Sequence, residues 1–361
     1  MDILSNILNI LITILVFFTI ILIHELGHFL TAKAFKMKIY EFSIGMGPRL
    51  FSKKTKTTTW SFKLLPIGGA VQLGEDIESD DPDDFRQKPV WQKMIVIVAG
   101  AVMNLILGFA VCIVSICADS SIATTRLSEF YDTSVSTQAL MPEDEIIEIN
   151  GMPIWTTTDI SYCLQNKAAR FDEQQGVAYF DMKVKRNGEV VALTVPFAAA
   201  AADNKNGYSV TIDFKVWAES KDLFTVVGAA GRMFMTESRL IWISLYDLIT
   251  GTYGLNDLSG PVGVVTTMAS ALEQSRLNIM SFSSFLNLVA LITINLGIFN
   301  LLPIPALDGA RFVFLIIEAI RRKPIPAEKE GWVHFIGFAA LMLLMLIVTF
   351  NDIVKLLSPT Q

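Results

Sequence analysis

Cysteine, histidine and charge are all scarce in this chain. Its three cysteines are Cys112, Cys117 and Cys163, and two of them share one apolar run, so no disulfide framework is expected. The formal net charge of −6 gives no pointer to nucleic acid, and no nucleic-acid partner is expected. A cleaved leader is not expected either. The chain opens on Met1-Asp2 instead of a basic stretch, its first apolar run is too long, and no A-x-A site follows. Too little of the sequence is polar for an ordinary soluble enzyme: 52% of residues are hydrophobic and the mean hydropathy is +0.49.

What is present in quantity is membrane-spanning sequence. Four stretches are candidates to cross ~30 Å of hydrocarbon, which takes ~20 apolar residues. They are 4–32, 94–117, 285–320 (interrupted by prolines) and 333–350. Lysine and arginine set the orientation. Residues 33–93 carry eleven of them, including Lys33, Lys36, Lys38, Lys53, Lys54 and Lys56, and residues 321–330 carry four. Residues 118–219 hold fifteen acids against eight bases. The loops after the first and third spans are therefore expected in the cytoplasm, and the N-terminus, the middle of the chain and the C-terminus outside.

Into the first span the sequence places IILIHELGHFL, residues 20–30. Charge at that depth costs roughly 2.5–3.5 kcal/mol on insertion scales, so something must offset it. His24-Glu25-Leu26-Gly27-His28 fits H-E-x-x-H. Positions i and i+4 share one helix face, so both imidazoles reach one ion, and zinc takes two such nitrogens at ~2.0–2.1 Å. Glu25 sits beside them, close enough to take a proton from water activated at the ion. The chain has only three histidines, and two fall in this motif. The third, His334, starts the last span and reads as interfacial.

A catalytic zinc wants a third protein ligand and an open position. NLGIFNLLPIPALDGAR, residues 295–311, offers Asp308 behind Pro303 and Pro305, which cannot continue a helix. Locally, Asp308 reads equally well as the N-cap of a helix over 309–320. The unfinished His24/His28 pair tips the choice toward a ligand. Glu318, near Arg321 and Arg322, reads as interfacial.

These two motifs together, H-E-x-x-H in the first span and Asn300-Leu301-Leu302-Pro303 through Asp308-Gly309 in a later one, resemble the site-2 protease family (peptidase M50) of intramembrane zinc metalloproteases. The resemblance covers essentially the whole chain. It implies one Zn2+ held by His24, His28 and Asp308, Glu25 as the general base, and Asn300, Pro303 and Asn104 as substrate-binding positions. One departure is Ala310, where the family often has a second glycine.

A helix hides its peptide bonds in i→i−4 hydrogen bonds, so a substrate span must unwind before it is cut. Residues 39–73 suggest the tool: IYEFSIGMGP and the later Trp60/Phe62 alternation read as a small β sheet or pair of hairpins, able to take an unwound strand at its edge. The 64–67 patch of Leu-Leu-Pro-Ile argues for partial membrane insertion, and the resemblance implies a membrane-associated β element here. In the second span Ala99, Gly100 and Ala101 favour close helix packing. Asn104 should face protein, either orienting substrate or making an interhelical hydrogen bond.

Residues 122–216 read as one soluble module, with Asn150-Gly151 and Asn187-Gly188 turns and a helix capped over 156–159. The module resembles a PDZ domain, which implies a peptide ligand or a gate for substrates; Glu143 stands where a glycine is usual. Residues 220–250 read as an amphipathic helix on the membrane surface. LSGPVGVV, 258–265, resembles a family motif without a known chemical role.

The expected architecture is thus an α-helical polytopic membrane protein of four transmembrane segments, with a membrane-associated β element and an inserted α+β PDZ-like domain. Its parts are 1–117 (first membrane part), 122–216 (PDZ-like), 220–250 (interfacial helix) and 282–361 (second membrane part). The expected function is an intramembrane zinc endopeptidase of the bacterial plasma membrane. Its active site would open to the cytoplasm and the PDZ-like domain would lie outside. Its partners would be the lipid bilayer and single-span membrane substrates, such as anti-sigma factors or signal-peptide remnants. A zinc-binding transporter or sensor, or a scaffold with structural zinc, are the competing classes.

Overall fold

A computed structural model describes residues 3–55, 57–74, 81–168, 170–202, 207–251, 258–277 and 279–357; Lys56 lies outside them. The chain forms two compact units, residues 1–115 with 240–361, and residues 116–239.

The first unit begins with α1 (Ile3–Ala34). Lys36 ends it in the left-handed region (φ 54), with Met37 N–H bonded back to the Ala32 carbonyl at 2.8 Å, a Schellman-type stop. Strands β1 (Glu41–Lys54) and β2 (Thr59–Gln72) follow. Each bends, so their halves make a four-ribbon sheet. Residues 49–54 pair antiparallel with 59–63, residues 41–44 lie parallel to 59–62, and 69–72 pair antiparallel with 41–44. Buried Glu41 pins the bend: both its oxygens accept from Arg49 (3.2 and 2.7 Å), Ser61 Oγ–H donates to it, and Lys63 lies at 3.7 Å. Of the 64–67 patch only the Leu64 side chain is described, and it is exposed.

Then come α2 (Val90–Ala118) and, after the second unit, α5 (Pro261–Leu277), α6 (Ile279–Asn300), α7 (Asp308–Arg321) and α8 (Ala327–Leu357), with α4 (Leu223–Ile249) running between the units. Among the described residues four helices, Ile7–Ala34, Val90–Ala118, Phe282–Asn300 and Glu328–Leu357, are long and apolar enough to cross a membrane. The stretch expected as one interrupted span, 285–320, is two helices, because prolines 303 and 305 remove donors and fix φ between them. Helices α2 and α6 touch through glycine: a Cβ at Gly297 would sit 2.9 Å from Leu105 Cδ2. Helix α5 was not expected. It explains LSGPVGVV: Pro261 takes the first helical position, while the Gly260 and Gly263 N–H groups donate to the buried Asp352 carboxylate of α8 (3.2 and 2.7 Å). The motif is a helix N-terminus built to receive an acid.

Glu318 is not a free interfacial acid. It bonds the buried Lys93 Nζ at 2.6 Å, tying α7 to α2. Removing one partner leaves a buried charge, which costs about 3–5 kcal/mol, whereas removing both with apolar groups is often neutral. Glu318→Leu should therefore lower the thermal midpoint in detergent well below that of the Lys93→Met/Glu318→Leu double variant. Equal midpoints would contradict a coupled pair.

The second unit is an antiparallel sheet of β3 (Ile122–Phe130), β4 (Glu145–Ile149), β5 (Met152–Pro153), β6 (Arg170–Asp172), β7 (Val177–Arg186), β8 (Glu189–Ala201), β9 (Tyr208–Val210) and β10 (Phe214–Glu219). The order is β10-β3-β4-β7-β8-β9, with β5 on β4 and β6 on β7. Phe180, Phe197, Leu127 and Ile146 fill its core. Asn187 and Gly188 both have positive φ (53 and 89) at the β7–β8 hairpin, as a type I′ turn needs. Glu143 has φ 75; Arg126 and Trp217 Nε1–H (2.7 Å) hold its carboxylate. Helix α3 (Thr157–Asn166) starts in a Thr156/Asp159 capping box. Arg239 of α4 bonds Asp159 at 2.5 Å and lies over the Trp155 ring. The polar side of this part of α4 therefore packs on the module while Phe224 is exposed.

Candidate metal centre

Helix periodicity stacks His24 and His28 one turn apart on α1, and both are buried. Their Nε2 atoms lie 3.3 Å apart. Asp308 Oδ2 completes a triangle, 3.1 Å from His24 Nε2 and 3.2 Å from His28 Nε2. A tetrahedral ion 2.0–2.1 Å from each ligand would separate neighbouring ligands by about 3.3 Å, so the triangle has the size of one face of a zinc tetrahedron. Among the described residues no further His, Cys, Asp or Glu joins the group. The N-cap of α7 is Leu307, which makes Asp308 its first helical residue instead of its cap.

The His28 tautomer is fixed from behind. His28 Nδ1–H donates to the Val96 carbonyl of α2 at 2.8 Å, leaving Nε2 as a lone-pair donor toward the triangle. His24 Nδ1 faces the side-chain amide of Asn104 at 3.4 Å, and Asn104 is fully buried with its Oδ1 unpartnered.

A cavity of about 600 Å³ opens onto the triangle. His24, Glu25, His28, Asn300 and Asp308 line it, with the 68–71 edge of β2, Arg311 of α7 and His334 of α8. A Val71 backbone hydrogen bond reaches Glu25, and Gly69 lies so close that a Cβ there would stand 2.6 Å from Glu25 Cγ. Of the residues singled out in the sequence, His24, Glu25, His28, Asp308 and Asn300 meet at this cavity, and Asn104 stands behind His24. Pro303 does not; it is exposed in the loop between α6 and α7. His334 is corrected from interfacial residue to cavity wall. Sequence reasoning missed the Val96 carbonyl and the contacts of Gly69 and Val71 with Glu25, which act through backbone or close approach, and it missed Arg311, which lines the cavity. Gly100, expected only as a small packing residue, lies so close that a Cβ there would clash with His28 Nε2.

The comparisons agree with this geometry. The sequence model described as Peptidase family M50 matches residues 12–344. A candidate zinc metalloprotease of Clostridium acetobutylicum is 35% identical over 350 residues, covering 96% of this chain and 97% of that one. The regulator of sigma-W protease RasP of Bacillus subtilis is 31% identical, covering 95% and 97%. The zinc metalloprotease RasP of Oceanobacillus iheyensis is 30% identical, covering 95% and 98%. With a family match over nearly all its length and three side chains grouped so that they could hold a metal ion, this chain belongs to peptidase family M50, the intramembrane zinc metalloproteases of site-2 type.

Proposed function

We propose that His24, His28 and Asp308 hold the catalytic zinc and that Glu25 is the general base for peptide-bond hydrolysis in transmembrane segments of single-span substrates. One observation carries this reading: three ligand atoms spaced 3.1–3.3 Å apart around an otherwise open position. Zinc, when bound, supplies a Lewis acid that brings the acidity of water to near neutrality. Glu25 takes the proton and returns it to the leaving amine. Turning the Asn104 amide end for end gives its oxygen the His24 Nδ1–H as donor, which fixes that ring for coordination and makes Asn104 a ligand-orienting residue.

The 69–72 half of β2 supports strand addition by an unwound substrate. It pairs on one side only among the described residues, and its Gly69–Val71 stretch lines the cavity. Asn300 lines the same cavity, which supports a role for it in holding the substrate backbone. The lysine-rich loops favour a cavity wetted from the cytoplasm in a bacterial plasma membrane, with the second unit outside. The capped helix on an antiparallel sheet supports a PDZ-like reading of that unit, as a gate or a peptide-binding module. The name of the Bacillus subtilis relative favours membrane-anchored regulators of sigma factors as substrates.

Asp308→Ala tests the site. Protein purified without chelators should hold about one zinc per chain and cleave a single-span reporter, while the variant loses both. Unchanged zinc in Asp308→Ala would return that residue to a purely structural role.

A further inference from the structure

Asp308 is delivered by residues 301–307, a loop with no regular structure. Within it Ala306 has φ 79, a backbone conformation that an L side chain keeps only under constraint. The constraint comes from α8. The Ala306 N–H donates to His334 Nδ1 at 3.0 Å. One turn further along, Gly337 closes on Pro305 so tightly that a Cβ there would lie 2.9 Å from the Pro305 carbonyl oxygen. The His334 ring also packs edge-on against Phe314 of α7, with centroids 5.7 Å apart. His334 therefore touches the chain on both sides of Asp308 while lining the same cavity.

A backbone N–H only donates, so Nδ1 must accept and the ring hydrogen sits on Nε2. From these contacts we infer that His334 is a positioning residue for Asp308: by accepting the Ala306 N–H it holds the strained turn that presents the carboxylate to the two imidazoles. On its other side the ring's Nε2 lies 3.9 Å from Glu330 Oε1, one turn earlier on α8. The inference rests on the zinc reading of the site.

The test is the zinc dissociation constant of the full chain in detergent, from chelator competition, beside the melting midpoint of the metal-free protein. His334→Leu removes the acceptor and should weaken zinc binding by about 10–100-fold, the usual effect of losing a residue that orients a ligand. His334→Asn puts an oxygen at the same branch point and should recover binding to within about threefold of the parent. Gly337→Ala, which pushes α8 off Pro305 without touching His334, should weaken zinc as His334→Leu does, and it stands in if that variant does not accumulate. Zinc binding in a folded His334→Leu or Gly337→Ala variant as tight as in the parent overturns the inference, as does a folded His334→Asn that rescues nothing. A parent that itself binds no zinc overturns the reading of the metal site instead.

Discussion

Glu25→Gln should cut peptide hydrolysis by about 10²–10⁴-fold, the usual worth of a positioned general base, while leaving zinc in place. The geometry separates the two outcomes. Glu25 is one residue from His24 in sequence, yet its carboxylate is not part of the ligand triangle, which is closed by His24, His28 and Asp308. Gln keeps the shape that fits against Gly69 and keeps an oxygen for the Val71 backbone group, so the packing of β2 on α1 survives. What it loses is a group able to take up a proton and give it back. Single-turnover cleavage of a single-span reporter, with zinc per chain measured on the same preparation, reads both quantities. A Glu25→Gln protein that retains zinc and cleaves at the parental rate would remove Glu25 from the chemistry and leave the cavity a metal site without a base. Loss of zinc together with activity would make Glu25 part of the coordination shell.

The parts of the site that were legible in the sequence are those set by local rules. Histidines four apart share a helix face whatever surrounds them, and an acid behind two prolines must begin a new segment. Asn187-Gly188 makes its hairpin turn for equally local reasons. What was illegible depends on approach between segments far apart in the chain. The Val96 carbonyl that orients His28 belongs to the backbone of another helix and leaves no mark in residue type. His334 looked like one more polar residue at a span's end, because its partner is a backbone N–H made available only by the turn at Ala306. Glu318 has Arg321 and Arg322 as sequence neighbours, yet its partner is Lys93, 225 residues away. LSGPVGVV could be recognised as a motif but not explained until Asp352 was found against its amides. The split of 285–320 into α6 and α7 has the same origin: the prolines announced an interruption, but not that the second piece turns to carry Asp308 to α1.

The largest structural effect should come from one methyl group at Gly100. On α2 this residue faces the triangle so closely that an added Cβ would clash with His28 Nε2 and stand 2.8 Å from His24 Cε1. Neither side has slack. The rings sit on α1, where Gly27 packs directly on the Ala99 backbone of α2, and His28 is bonded to the Val96 carbonyl one turn before Gly100. Gly100→Ala must therefore displace both imidazoles or part the two helices, and a metal site tolerates ligand shifts of only about 0.2 Å. Zinc affinity should fall by at least about 100-fold, beyond the effect of an outer-shell substitution, because two ligands move at once. Gly297→Ala is the control. It crowds the Leu105 side chain at 2.9 Å and meets the Ala101 carbonyl oxygen at 3.1 Å at the contact between α6 and α2, with neither imidazole among its nearest neighbours, so it should lower the melting midpoint yet bind zinc like the parent. If Gly100→Ala kept parental zinc affinity, the imidazoles could not both point at the Asp308 oxygen as they do here, and the triangle would lose its claim to be the metal site. If both variants lost zinc alike, the loss would report general loosening of the helices instead of direct crowding at the ligands.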